Sequence, residues 1–216
     1  MEGGDLGGGK RARAACGGYI CFEDEAGFTR RPPRGRTWGR RGHTPVVTVS
    51  GRRSGRLSVA GLIAMRPGSR TRLCHRLIDH PAGKGKGKGK GKGKGKRRSV
   101  SERDFIARLD GTHQLIKAPI VLVWDRLNTH VSRTMRELID ARKWLTVFLL
   151  PAYSPDLNAV EGVWAHVKRS LANLAVVALD RLEVLVRNRL KRLQYRPETL
   201  DGFIAGTGLT LTSRSQ

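Results

Sequence analysis

"LPAYSPDLNAVEGVW", residues 150–164, is the stretch whose reading decides this fold. The apolar run "LTVFLL" (145–150) leads into it as a strand, and Pro151, Ser154, Pro155 and Asp156 break that strand into a loop. A helix then begins. Asn158 has the character of a cap, Glu161 follows three positions later, and Val160, Val163, Val167, Leu171 and Leu174 recur at helical spacing. Glu161 therefore has two readings: it completes a helix cap, or its carboxylate does chemistry where a strand ends. The residues alone permit both.

Upstream, "APIVLVWD" (118–125) is an apolar, β-branched run of the kind buried on both faces of a parallel sheet, and it ends in Asp125. An acid at that point draws charge toward the core edge, which does not favour stability. It suits function, because ligands of such sheets collect at the strand ends. A helix from about Ser132 to Lys143 joins the two strands, and "SVSERDFIARLDGTHQLI" (99–116) opens on a helix-cap signature. Earlier still, "YICFEDEAGF" (19–28), "PVVTVSG" (45–51) and "RLSVAGLIAM" (56–65) read as strands separated by Arg/Gly/Pro turns, with Asp24 inside the first. Glu23 and Glu25 fall on the strand face opposite Asp24. The order predicts an α/β chain: a mixed sheet of three antiparallel strands followed by two strands with helical crossovers, flanked by helices. A last helix carries Leu179, Leu182, Val186, Leu190 and Leu193 as its core stripe, among basic residues.

Charge narrows the choice of partner. Forty-two Lys and Arg against eighteen Asp and Glu leave +24 on 216 residues. Residues 26–76 hold thirteen Arg and no Lys, Asp or Glu. A one-signed surface of this kind points to a polyanion, most commonly nucleic acid. No apolar run reaches the roughly 18–20 residues of a membrane span, so no membrane partner is expected. Cys16, Cys21, Cys74 and His75 match none of the usual zinc-finger spacings, and reduced thiols are expected. Seven Gly-Lys pairs (83–96) cannot bury apolar area and read as a disordered loop. Repeat expansion accounts for their origin, and their charge still adds affinity for phosphates. Residues 1–17 read as a disordered, basic, Gly-rich lead and 206–216 as a flexible tail.

The motifs "WDRLNTH" (124–130) and "PAYSPDLNAVEGVWAHVK" (151–168), with "FEDEAGF" (22–28) and "RTWGRRGHTPVV" (36–47) upstream, resemble the catalytic domain of DDE-type transposases. Within that group the similarity is to bacterial insertion-sequence enzymes of the mariner-like superfamily, also called DDE superfamily endonucleases. It covers about residues 18–205. The resemblance implies a ribonuclease-H-like fold and a transposase that cleaves and transfers DNA strands. It implies Asp24, Asp125 and Glu161 as the catalytic, metal-binding acids, with two Mg²⁺ or Mn²⁺ ions as cofactors. Thirty-five residues separate Asp125 from Glu161, a spacing in keeping with the group. Lys168 matches the family's lysine and implies a phosphate contact. Arg34, Arg36, Arg40, Arg41 and Asn128 are further candidates for contacting nucleic acid. His130 either positions substrate beside Asp125 or is a surface residue, and Trp164 is expected to pack in the core outside the site.

The implied partner is double-stranded DNA, as transposon ends and target, bound by a homodimer; the implied location is the bacterial cytoplasm, at the nucleoid. The sequence departs from the family's pattern in two places. Arg126 and Leu127 follow Asp125 where relatives carry Asn, and twenty-three residues precede Asp24 where relatives carry a helix-turn-helix region. A shortened copy that binds DNA with little sequence preference is therefore expected. The rival readings are a basic DNA-binding remnant without turnover and a structure-specific nuclease of the same fold.

Overall fold

The strand "YICFEDEAGF" buries residues on both its sides, as a strand does in a sheet covered on both faces. In the computed structural model it forms β1 (Tyr19–Phe28), the third of five strands. The structure describes residues 17–31, 33–48, 55–80, 102–128, 130–174 and 178–209. Along one edge of β1 runs β2 (Arg56–Arg66), antiparallel; along the other runs β4 (Ile120–Trp124), parallel. Outside these lie β3 (Ser69–His80), antiparallel to β2, and β5 (Leu145–Leu149), parallel to β4. The sheet order is β3-β2-β1-β4-β5.

Helices cover both faces. Ile20, Phe22, Ala26 and Phe28 pack toward α3 (Ala159–Ser170), α4 (Leu179–Gln194) and α5 (Pro197–Gly206). Tyr19 and Cys21, on the alternate positions, pack toward α1 (Glu102–Ile116) and α2 (Arg133–Asp140) through Phe105, Ile106, Leu109 and Met135. The period of two in β1 thus divides the core into two layers. The predicted mixed sheet is present, with three antiparallel strands followed by two reached through helices.

One of those strands differs from the sequence reading. Residues 45–48 form no strand and are exposed, while 49–51 lie outside the described residues. The antiparallel set is completed instead by β3, "SRTRLCHRLIDH". Its Arg70, Arg72 and Arg76 hid the strand from a reading by hydrophobicity. As an edge strand it needs only one well-buried row, which Thr71 and Leu73 begin, and charged residues on its open side discourage pairing with other chains. The turn before it was a legible signal. Pro67 fixes φ, and Gly68 supplies the positive φ of 72° that closes the link from β2.

The helix α5 was also unread. It starts with Pro197 at a first-turn position and buries Leu200 and Ile204. Packing continues to Leu209, which is buried, so the packed chain extends past residue 205. Leu174, expected on the core stripe, is instead exposed just beyond the end of α3. Residues 1–16 of the lead and the Gly-Lys segment lie outside the described residues.

Candidate active site

The parallel register pairs Phe22 with Val123, so Asp24 and Asp125 each stand two residues further along adjacent strands. Asp125 follows the last residue of β4, and Leu150 N donates to Trp124 O at 2.8 Å, holding the β4 and β5 ends together. The chain then turns through Pro151–Pro155 and enters α3. Asn158 caps that helix by accepting from Val160 N at 3.1 Å, and its Nδ2 donates to Glu23 O at 3.0 Å. One buried side chain thereby starts the helix and fixes its first turn against β1.

The cap reading of Glu161 is not met. The Asn158 N–H donates to Pro155 O, so the reciprocal half of a capping box is not made by Glu161. Its carboxylate instead lines a cleft of about 400 Å³ together with Asp24 and Asp125, floored by Leu150–Pro155 and Asn158. Three acids from three separated segments share one cleft. Arg126 is the cation among the lining residues, and its Nε donates to Leu150 O at 3.3 Å. Among the described residues no three His, Cys, Asp or Glu side chains are already arranged to hold an ion.

Asp24 is held from two directions. Glu25 N donates to its Oδ1 at 2.8 Å and Trp164 Nε1 donates to its Oδ2 at 2.9 Å. Trp164 is buried, as expected of a core residue, but its polar edge reaches the candidate acid, which corrects its placement outside the site. Gly61, paired with Asp24 across the sheet, makes room for it. A Cβ there would sit 2.7 Å from the Trp164 ring.

Burial pushes the Asp24 carboxyl up, and the nearby Glu161 charge pushes it further, to about 7; the Glu25 and Trp164 bonds hold it lower than burial alone would. The folded chain therefore keeps a proton that the unfolded chain releases around the ordinary 3.8. The associated stability is fully present below the unfolded value and is lost as pH rises through about 7, by at most about 4 kcal/mol. The expected result is a higher urea midpoint at pH 5 than at pH 8, with most of the difference removed by Asp24→Asn. An unchanged pH dependence in that variant would show that Asp24 is not the group responsible.

Asp125 shifts the other way. A hydrogen bond from His130 holds its carboxyl below the ordinary range, against partial burial. His130 Nδ1 lies 2.8 Å from Asp125 Oδ1, and Leu127 N donates to the same oxygen at 3.0 Å. His130 is 4 % exposed, which rules out the surface role weighed for it.

The nucleic-acid candidates divide. Arg34, Arg36, Arg40 and Arg41 lie on an exposed, irregular segment, pinned at Gly35 by the Asn173 side chain. Asn128 is exposed in the turn after Asp125 and is not among the residues lining the cleft. Lys168 lies outside the cleft too, in a separate recess with Arg30, Arg31 and Leu171. The zinc set fails on geometry. Cys74 faces Thr112 and Arg108, while His75, on the alternate position of β3, faces Arg187. Cys16 lies outside the described residues.

Residues 92–183 match the family model of the DDE superfamily endonucleases. The matched stretch takes in Asp125, Glu161 and the motifs at 124–130 and 151–168, and leaves Asp24 outside it. No curated protein matches the chain. Among solved structures, the Mos1 transposase paired-end complex with left transposon end is similar at 15% identity and a TM-score of 0.55 over 88% of this chain. The Mos1 mariner paired-end complex with Mg aligns at 16% identity and a TM-score of 0.54 over 90% of this chain. The Mos1 transposase catalytic domain with Raltegravir and Mn aligns at 13% identity and a TM-score of 0.53, covering 94% of this chain and 90% of that one. This chain spans 55% and 57% of the chains in the two complexes. The ribonuclease-H-like fold of that catalytic domain is the fold seen here.

Proposed function

We propose that this chain is a transposase catalytic domain, spanning about residues 18–209, that cleaves and transfers DNA strands with divalent metal. The observation that carries this reading is the convergence of Asp24, Asp125 and Glu161 on one cleft where β4 ends beside β1, in the middle of the sheet. Hard Mg²⁺ or Mn²⁺ prefers such carboxylate oxygens and completes its shell with water and substrate phosphate, so an open set of three acids suits it. Burial first and the Glu161 charge second raise the Asp24 carboxyl to about 7, and a cation held between these acids would oppose that rise. The residues present fit the group.

Asp24, Asp125 and Glu161 would hold the ions, two in number. Ions bound there would supply the Lewis acidity needed to activate a water or 3′-hydroxyl and to neutralise charge on a leaving oxygen. The protein's own part is placement. The Glu25 and Trp164 donors orient Asp24, and the Asn158 cap sets the helix turn that delivers Glu161. The exposed Arg34–Arg41 segment and Lys168 would grip phosphates without reading bases. Double-stranded DNA as transposon ends and target, a homodimer on that DNA and a nucleoid location in a bacterial cytoplasm complete the proposal.

The test is nicking of supercoiled plasmid with Mg²⁺ or Mn²⁺, followed by joining of a 3′-hydroxyl end to target DNA. Metal-dependent nicked circles that vanish with chelator are expected. Retention on DNA without cleavage in either metal would favour the basic remnant instead. The cleft, with all three acids in place, favours the enzyme.

A further inference from the structure

Behind Asp125 stand three side chains that the three-acid site does not account for. The His130 ring lies flat on Trp124, with centroids 4.0 Å apart and planes within 3°, and Phe105 meets it edge-on at 4.7 Å. Packed so, the ring brings Nδ1 to 2.8 Å from Asp125 Oδ1. On its far side Nε2 lies 3.5 Å from Glu23 Oε2. Glu23 is fully buried, and its other oxygen accepts from Arg108 Nη2. Oε2 and Nε2 are both buried with no other hydrogen-bond partner, so each is left facing the other.

An ionised carboxylate only accepts, so His130 Nδ1 donates to Asp125. On the other side of the ring, Nε2 and Glu23 Oε2 face each other 3.5 Å apart. The row Arg108, Glu23, His130, Asp125 thus runs from α1 through β1 to the cleft, hydrogen-bonded at both ends, with Glu23 and His130 3.5 Å apart between them. Glu23 is anchored at one end by a cation that itself lies against the Phe105 ring at 5.3 Å.

We propose that His130, backed by Glu23 and Arg108, is a positioning residue that fixes the Asp125 carboxylate. With Oδ1 occupied by His130 and Leu127 N, Oδ2 is the oxygen left to a cation in the cleft. The inference rests on the assignment of Asp125 as a metal-binding acid. Groups that orient a ligand in this way commonly govern metal affinity by about 10–100-fold.

The test is Mn²⁺ binding to the full chain without DNA, followed by the electron paramagnetic resonance signal of free Mn²⁺, with melting recorded for every variant. His130→Asn places an amide donor where Nδ1 was, while His130→Ala places none. Both lose the stacked ring, so a merely structural role would move both equally. The expected split is a loss in Mn²⁺ affinity of about 10–100-fold for His130→Ala and of less than about threefold for His130→Asn. Should the alanine variant not fold, His130→Gln, whose amide reaches toward Glu23 instead, serves as the loss variant. If the variants fall together, or none changes while Asp125→Asn abolishes binding, the positioning role is overturned and the site stands. Parent-like Mn²⁺ binding by Asp125→Asn would overturn the site assignment, and this proposal with it.

Discussion

Asp125→Asn and Glu161→Gln each lower metal-dependent cleavage by about a thousandfold or more, an effect worth about 4 kcal/mol in the barrier. Both replacements keep the size of the side chain and remove only the charge that a divalent ion needs. Neither should unfold the chain. Glu161 is exposed and does not cap its helix, so its replacement belongs with surface changes of about 0.5 kcal/mol or less. Retention on DNA should change by less than about threefold, because affinity comes from many phosphate contacts made by diffuse Arg and Lys charge. Cleavage and filter retention measured on the same preparations separate the two properties. Parent-level cleavage by both variants, in protein freed of contaminating nuclease, would remove these acids from the mechanism.

Arg108→Met lowers stability by about 3–5 kcal/mol, the loss typical when one partner of a buried ion pair is removed. Glu23 has no exposed surface, and Arg108 is the cation that meets its Oε1. Burial already raises the Glu23 carboxyl, with Arg108 and His130 opposing that rise. Without the guanidinium the acid stays protonated to higher pH. The deficit should therefore be smallest in acid and should grow as pH rises. Urea denaturation at pH 5 and pH 8 measures both the loss and its direction. The double variant Arg108→Met/Glu23→Leu should recover most of the stability, since an apolar pair of similar volume avoids desolvating two charges. A double variant as weak as the single one would show that packing, not charge, sets the cost.

Helix spacing and strand runs in the sequence were enough to place β1, β2, β4, β5 and α1 to α4, because each turns apolar residues to one side, even where α2 and β5 bury only Met135 and Leu145 fully. The same pattern put Asp24 on the strand face opposite Glu23 and Asp125 at the end of β4. The motif around "YSPDLNAVEGVW" named Glu161 as the third acid. Composition showed the basic character outright, since charge needs no fold to be counted.

Three features were decided only in three dimensions. The strand β3 stayed hidden because an edge strand can expose Arg70, Arg72 and Arg76 while burying a short row behind them. Trp164 could be placed in the core by its spacing, but its bond to Asp24 exists only because Gly61, more than a hundred residues earlier, leaves space beneath the indole ring. His130 admitted a substrate-positioning or a surface role in the sequence, and Arg108 drew no reading at all. Their meeting with Glu23 joins segments 85 residues or more apart, and no local periodicity records such a contact. Local sequence sets which face of an element is apolar. Which polar groups meet behind that face depends on how the sheet brings distant strands and helices together, and tertiary structure alone decided it.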